Sequence, residues 1–355
     1  MQALNLQFKV NQDPDAIITS DASWLSRLDA GVVPPKRVTR GQTRAVAPAP
    51  GTLRVVASDL VHSVAHGDDV RLSEQMQEAR VGPSSAATQW VDTVERIAKP
   101  FGPDHFETEC GIKARGVRIV DAFASRARPT LLGSGGDIVR VESMDGPMAS
   151  VLLWFEGGFG MVVPAIQGFV AAVSSEHGEI VDVAYEPSAN NWRWAEYRTR
   201  AADVRTLRAL AAASSQHGRF RLDSKDAPLV AQKMQYAKGL DPTLAIYAAY
   251  AYHDLQTLDR IDQMSDYLRR DIGATFFDIE LLRRKLIGKT VAASDFIVPF
   301  FPIVAQGWAL LRAHRINLHP ALDGIESSMR DSVWTTFDAT GLEKLKSALQ
   351  TKEVR

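Results

Sequence analysis

The hydrophobic period of this chain changes once, and that change limits the fold more than any other feature. From Phe106 apolar and polar residues alternate; after Tyr197 the apolar residues recur every three or four positions. Alternation places successive side chains on opposite faces of a sheet, whereas spacings of three and four line one face of a helix. The candidate strands are Phe106–Lys113, Val117–Ser125, Ile138–Glu142, Ser150–Phe155, Met161–Ile166, Phe169–Ser175 and Ile180–Glu186. Turn-forming residues stand between several of them: Gly116, Gly133-Ser-Gly-Gly136, Gly146-Pro147, Gly157-Gly158 and Glu176-His-Gly-Glu179. Short strands with close-set turns and no intervening helix predict an antiparallel β-sandwich or open barrel over residues 101–197 and argue against a parallel βαβ sheet.

The following residues, 198–355, predict an α-helical domain, which makes the fold class α+β. The candidate helices are Ala201–Gln216, Ala227–Lys238, Pro242–Leu255, Leu258–Arg270, Phe276–Leu286, Ile303–Arg312, Ala321–Ser332 and Gly341–Gln350. Gly218 and Gly239 sit just past two of these ends, where a left-handed residue closes a helix cheaply. Asp241-Pro242 reads as a cap followed by a proline at the first helical position. The segment Asp241–Arg270 reads as a helical hairpin, with Leu244, Tyr247, Ala248 and Ala251 on one face and Ile261, Met264 and Leu268 opposite. Its length is TPR-like, but no second copy follows at a fixed period, so the expectation is an irregular helical domain.

The first hundred residues have a different character. Residues 1–50 read as a flexible basic arm: four prolines fall between Val32 and Pro50, large apolar groups are scarce, and Lys36, Arg37, Arg40 and Arg44 cluster there. Such a segment buries too little to offset its ordering entropy. Leu4–Val10 alternates as one short strand would. Residues 51–100 read as a linker with one strand, Thr52–Ser58, and one helix from Ser84 or Ser85 to about Lys99. Across the whole chain a net charge of -1 supplies no field for nucleic acid or an anionic membrane. A single cysteine, Cys110, excludes an intramolecular disulfide framework and a Cys-rich zinc module. No basic-then-apolar leader opens the chain, and Phe296–Leu311, interrupted by Pro299 and Pro302, is shorter than the roughly 20 residues of a membrane helix. These features predict a soluble, cytoplasmic protein without a cofactor.

The residues that carry chemistry are sparse. Cys110 stands among Glu107 and Glu109, carboxylates that would raise its pKa, and reads as an inert thiol. His62 and His66, in His62-x-x-x-His66-Gly-Asp68-Asp69, have the i, i+4 spacing of a metal pair, but Gly67 and Asp68 disfavour the helix that would set both imidazoles on one side and there is no HExxH, so the stretch reads as a polar surface loop and no metal site is assigned. Neither Glu176-His177 nor His217 accompanies a GxSxG nucleophile, and Ser134-Gly-Gly-Asp137 lacks the Lys-Ser/Thr of a phosphate loop. No catalytic residue is assigned. Around the β-to-α junction Trp192, Trp194, Tyr185 and Tyr197 crowd together, interleaved with Arg193, Arg198 and Arg200. Such an array can stack on a ligand or a base, but aromatic-rich junctions more often pack domains together, and packing is the expected role. Trp192, Arg193, Trp194 and Tyr197, with Arg37, Arg40 and Arg44 of the arm, are the candidate binding residues.

Several stretches resemble a module of bacterial caspase-like (peptidase C14 type) multidomain proteins and their companions. They include Pro100-Phe-Gly-Pro-Asp-His-Phe-Glu-Thr108, Ala149-Ser-Val-Leu-Leu153, Pro164-Ala-Ile-Gln-Gly-Phe169, Val181-Asp-Val-Ala-Tyr-Glu-Pro-Ser188 and Asp241-Pro-Thr-Leu-Ala-Ile-Tyr-Ala-Ala-Tyr-Ala-Tyr252. Phe277-Asp-Ile-Glu-Leu281, Val298-Pro-Phe-Phe-Pro302, Ala305-Gln-Gly-Trp-Ala-Leu310 and Trp334-Thr-Thr-Phe-Asp338 continue the series. In that setting the module looks like the non-catalytic region joined to a peptidase domain, and residues 1–100 are too short and irregular to be that domain. The resemblance implies a protein–protein interaction or regulatory role beside a caspase-like protease, in a setting such as antiviral defence. A hydrolase with an unrecognised site and a nucleic-acid adaptor using the basic arm are the rival readings.

Overall fold

The computed structural model describes residues 61–62, 64–66, 109–132, 135–216, 219–222, 225–291 and 296–355. The arm with Arg37, Arg40 and Arg44, the Thr52–Ser58 strand and the helix ending at Lys99 lie outside the described residues. The fold is α+β, a β-rich half followed by a mainly helical one.

Among the described residues eight strands build the first half: β1 Gly111–Arg115, β2 Ile119–Phe123, β3 Arg128–Leu132, β4 Ile138–Glu142, β5 Met148–Phe155, β6 Phe159–Ile166, β7 Phe169–Glu176 and β8 Glu179–Pro187. One sheet has the order β3-β4-β1-β7-β8. The β7–β8 connection is a tight hairpin in which His177 and Gly178 take φ of 52° and 80°. Positive φ at both central residues matches the turn to the right-handed twist of the strands. β3 escapes the periodic reading because Pro129 removes a ladder donor; the structure puts it at a sheet edge, where that loss is tolerated.

The expectation of a purely antiparallel β-half is corrected at its centre. β1 and β7 run parallel, from Gly111 opposite Val170 to Arg115 opposite Ser174. Alternation specifies which face each side chain takes and says nothing about strand direction. The connection from β1 to β7 runs through the second sheet, so the parallel pair needs no crossover helix.

The second sheet, β9-β6-β5-β2, takes its edge strand β9, Phe337–Asp338, from the far end of the chain. Between β8 and β9 lie α1 Trp194–Ala213, α2 Ala227–Ala237, α3 Thr243–Asp254, α4 Leu258–Asp271, α5 Phe277–Leu282 and α6 Gly307–Ala313, and α7 Ala339–Gln350 follows β9. Val151, Leu153 and Met161 of the second sheet share one core with Ile112, Val173 and Val183 of the first and with Val204, Leu244 and Met264 of the helices. Leu152 and Val162 face the other way, onto Phe301, Trp308, Phe337, Leu342 and Leu345. Asp338 accepts the Gly341 N–H at 3.0 Å and starts α7 against that face.

Three helical expectations change. α3 is buried along its whole length from Thr243 to Tyr252, so it has no single buried face. The predicted helix Ala321–Ser332 is two short 3-10 turns, Pro320–Leu322 and Ile325–Ser328, parted by Gly324 at φ 76°. Gly239 is not left-handed; a Cβ there would come within 2.8 Å of the Tyr267 hydroxyl, so close approach is what calls for glycine.

Candidate functional site

The chain leaves β8 through a turn held by its own polar groups. Ser188 N–H and the Asn191 side-chain amide both donate to Gly168 O at 2.8 Å, and Arg193 N–H donates to Asn191 Oδ1 at 3.0 Å. This turn separates the aromatic junction into two pairs. Tyr197 is buried, donates its hydroxyl to Glu186 Oε1 at 2.5 Å, and stacks on half-buried Trp194 with centroids 5.7 Å apart. Trp192 is instead 72% exposed, so the packing role expected of the junction fails at this ring.

Trp192 nevertheless has a fixed base. The Arg193 guanidinium lies 4.3 Å from its ring centroid and 5.6 Å from that of Phe169, and it is ion-paired with Asp271 at the end of α4. Lys238 Nζ sits 3.8 Å from the Tyr267 centroid, also on the α4 side of the junction. Trp192, Arg193 and Asp271 thus form a run of cation–π and ionic contacts.

Beneath the junction is a buried charged cluster. Asp182 and Glu186 come from β8, Arg208 from α1, and Asp241 from the residue pair that leads into α3. Arg208 donates through Nε to Asp241 Oδ2 at 2.5 Å, through Nη1 to Glu186 Oε1 at 3.4 Å, and through Nη2 to the Tyr185 carbonyl. Asp241 Oδ1 accepts Thr243 N–H at 3.0 Å and Tyr185 N–H at 3.1 Å; the cap position itself falls on Pro242, one residue later than the sequence suggests. Burial, reinforced by Asp241, pushes the Asp182 carboxyl up to about 7. Its Oδ1 has no hydrogen-bond partner among the described residues, an arrangement a neutral carboxyl tolerates far better than a carboxylate. Perturbed groups of this kind can mark active sites. Here the Glu186 and Asp241 carboxylates are consumed by internal partners, and the cluster ties β8, α1 and α3 together.

Cys110 lies in the bend before β1 rather than in a strand. Its Sγ is 3.3 Å from Ile166 O and 3.4 Å from Met144 Sδ, and burial pushes the thiol up to about 12. The expected inertness has this cause, not the neighbouring carboxylates. Native protein should leave Cys110 unmodified by a thiol reagent at pH 8 and release one reactive thiol on denaturation; stoichiometric labelling of the folded protein would contradict it.

The polar-loop reading of His62 and His66 is corrected, because residues 61–62 and 64–66 are helical. Val61, Val64 and Ala65 enter the core at helical spacing, and the two imidazoles share the opposite side with centroids 4.5 Å apart. His62 Nδ1 is 2.7 Å from Asp226 Oδ2 and His66 Nε2 is 3.4 Å from Asp226 Oδ1. The hydrogen bond from His62, with the further one from His66, holds the Asp226 carboxyl below its usual range. Asp226 precedes α2 in the cap position, yet its side chain makes no capping hydrogen bond. Lys233 of α2 donates to Val64 O at 2.7 Å and docks the two segments on each other. The i, i+4 pair was visible in sequence; Asp226, 160 residues beyond His66, was not. The chain matches no protein-family model, and neither a curated protein nor a solved structure is detectably similar to it.

Proposed function

We propose that this chain is an interaction or regulatory subunit, not itself catalytic, that works beside a caspase-like protease in the bacterial cytoplasm, in antiviral defence. In this reading the paired sheets are a sandwich-like body, and the successive helices α2, α3 and α4 are a TPR-like scaffold beside it. The observation that carries the proposal is Trp192, a large ring left 72% exposed on a base that cannot move freely. An exposed indole offers a partner much apolar area, and it loses little entropy on binding because Arg193 and Asp271 already hold its base. Aromatic and arginine side chains so arranged are the usual anchors of protein interfaces. Within the described residues no helix is long and apolar enough to cross a membrane.

Trp192→Ala separates this role from a structural one. As a surface truncation it should change stability by no more than about 0.5 kcal/mol. Tagged wild-type protein expressed in its native host should recover a caspase-like peptidase, and Trp192→Ala should lose it. Undiminished recovery by the variant would remove Trp192 from the interface, and a set of partners without a peptidase would overturn the partner class.

A further inference from the structure

We propose that His62, His66 and Asp226 form a binding site for one divalent transition-metal ion of the zinc class, independent of the interaction surface at Trp192. One ligand atom from each residue lies within 4.8 Å of the other two. Ligands around a zinc ion at about 2.0–2.2 Å from the metal must sit a few ångströms apart, so small side-chain rotations suffice to close this set on an ion. Two imidazoles and a carboxylate suit a borderline ion such as zinc or cobalt(II) better than calcium or magnesium, which call for oxygen ligands.

The surroundings also point to a ligand. Asp226 occupies a helix cap position but turns its carboxylate toward the imidazoles and not to an α2 N–H, giving up the ordinary use of such a residue. Its side chain is 10% exposed, and those of His62 and His66 are 34% and 51% exposed. The site is therefore anchored from below and open from above. Three protein ligands with an open outer position leave room for water as the fourth ligand. The imidazoles come from a segment whose Val61, Val64 and Ala65 are buried, and Lys233 to Val64 O holds that segment on α2, so the ligands are preorganised. An ion here would bridge two segments more than 150 residues apart, and its binding energy would become stability of that docking.

Metal-free full-length protein should take up one equivalent of cobalt(II), with visible d–d absorption that zinc displaces. Loss of an outer-shell partner already costs about 10–100-fold in metal affinity, so loss of a ligand should cost at least about 100-fold. Asp226→Asn, His62→Gln and His66→Gln should each do so. Zinc should also slow amide exchange at residues 61–66 and at the start of α2 in the wild type but not in the variants. His66→Gln decides the matter should either of the others fail to fold, because that side chain is half exposed. Wild-type protein that takes up no ion at micromolar concentration overturns the proposal. Uptake that survives His66→Gln unchanged overturns it too, by placing the ion elsewhere.

Discussion

Arg208→Ala should destabilise the protein by about 3–5 kcal/mol, the usual cost of breaking a buried ion pair from one side. The guanidinium is buried and spans Asp241, Glu186 and the Tyr185 carbonyl. Removing it leaves two buried carboxylates without their cation and frees the carbonyl as well. Arg208→Lys should recover only part of the loss, because an ammonium group cannot reproduce a planar fork reaching three acceptors. Urea melts of the three proteins followed by circular dichroism give the comparison. A loss under about 1 kcal/mol for Arg208→Ala would mean that α1 is held to β8 by apolar packing alone, through Val204 and Leu207.

Asp278→Ala is the second large effect, expected to cost at least about 3 kcal/mol. Asp278 is buried at the start of α5 and accepts from three donors: Ile303 N–H at 2.8 Å, Val304 N–H at 3.2 Å and the Tyr250 hydroxyl at 2.8 Å. Alanine would strand all of them away from water. Burial pushes this carboxyl up to about 6, against the downward pull of the same hydrogen bonds. The folded state therefore binds the proton more tightly than the unfolded one. The stability Asp278 contributes is fully present below the unfolded carboxylate value and is lost as pH rises through about 6. The difference between wild type and Asp278→Ala should be larger at pH 4 than at pH 7. The same or a smaller difference at pH 4 would show that the folded carboxyl is ionised throughout.

Side-chain periodicity made the strands legible where one face is buried and the ends are marked by turns. Ile138–Glu142 matches β4 residue for residue, and β5 to β8 differ only at their ends. β3 was missed because an edge strand that is half exposed and carries a proline has little apolar alternation to detect. The stripe Ile261, Met264 and Leu268 identified the buried face of α4, since one side of that helix meets solvent. α3 could not be read the same way; a helix buried all round has no polar face to set against an apolar one. The aromatic junction was recognised as a cluster, but composition could not tell buried Tyr197 from exposed Trp192, because both rings favour interfaces of any kind.

The sequence by itself determined what local chemistry controls: α+β class, the place where strands give way to helices and the His177-Gly178 hairpin. Only the tertiary structure decided the rest. It set β1 parallel to β7, brought β9 from the end of the chain to the edge of the second sheet, closed Arg208 onto Asp241 and Glu186, and placed Asp226 between His62 and His66. Each of these is a pairing between distant residues. Period, capping and turn signals extend over a few residues, whereas partners far apart in sequence are chosen by the way whole sheets and helices bury their faces together.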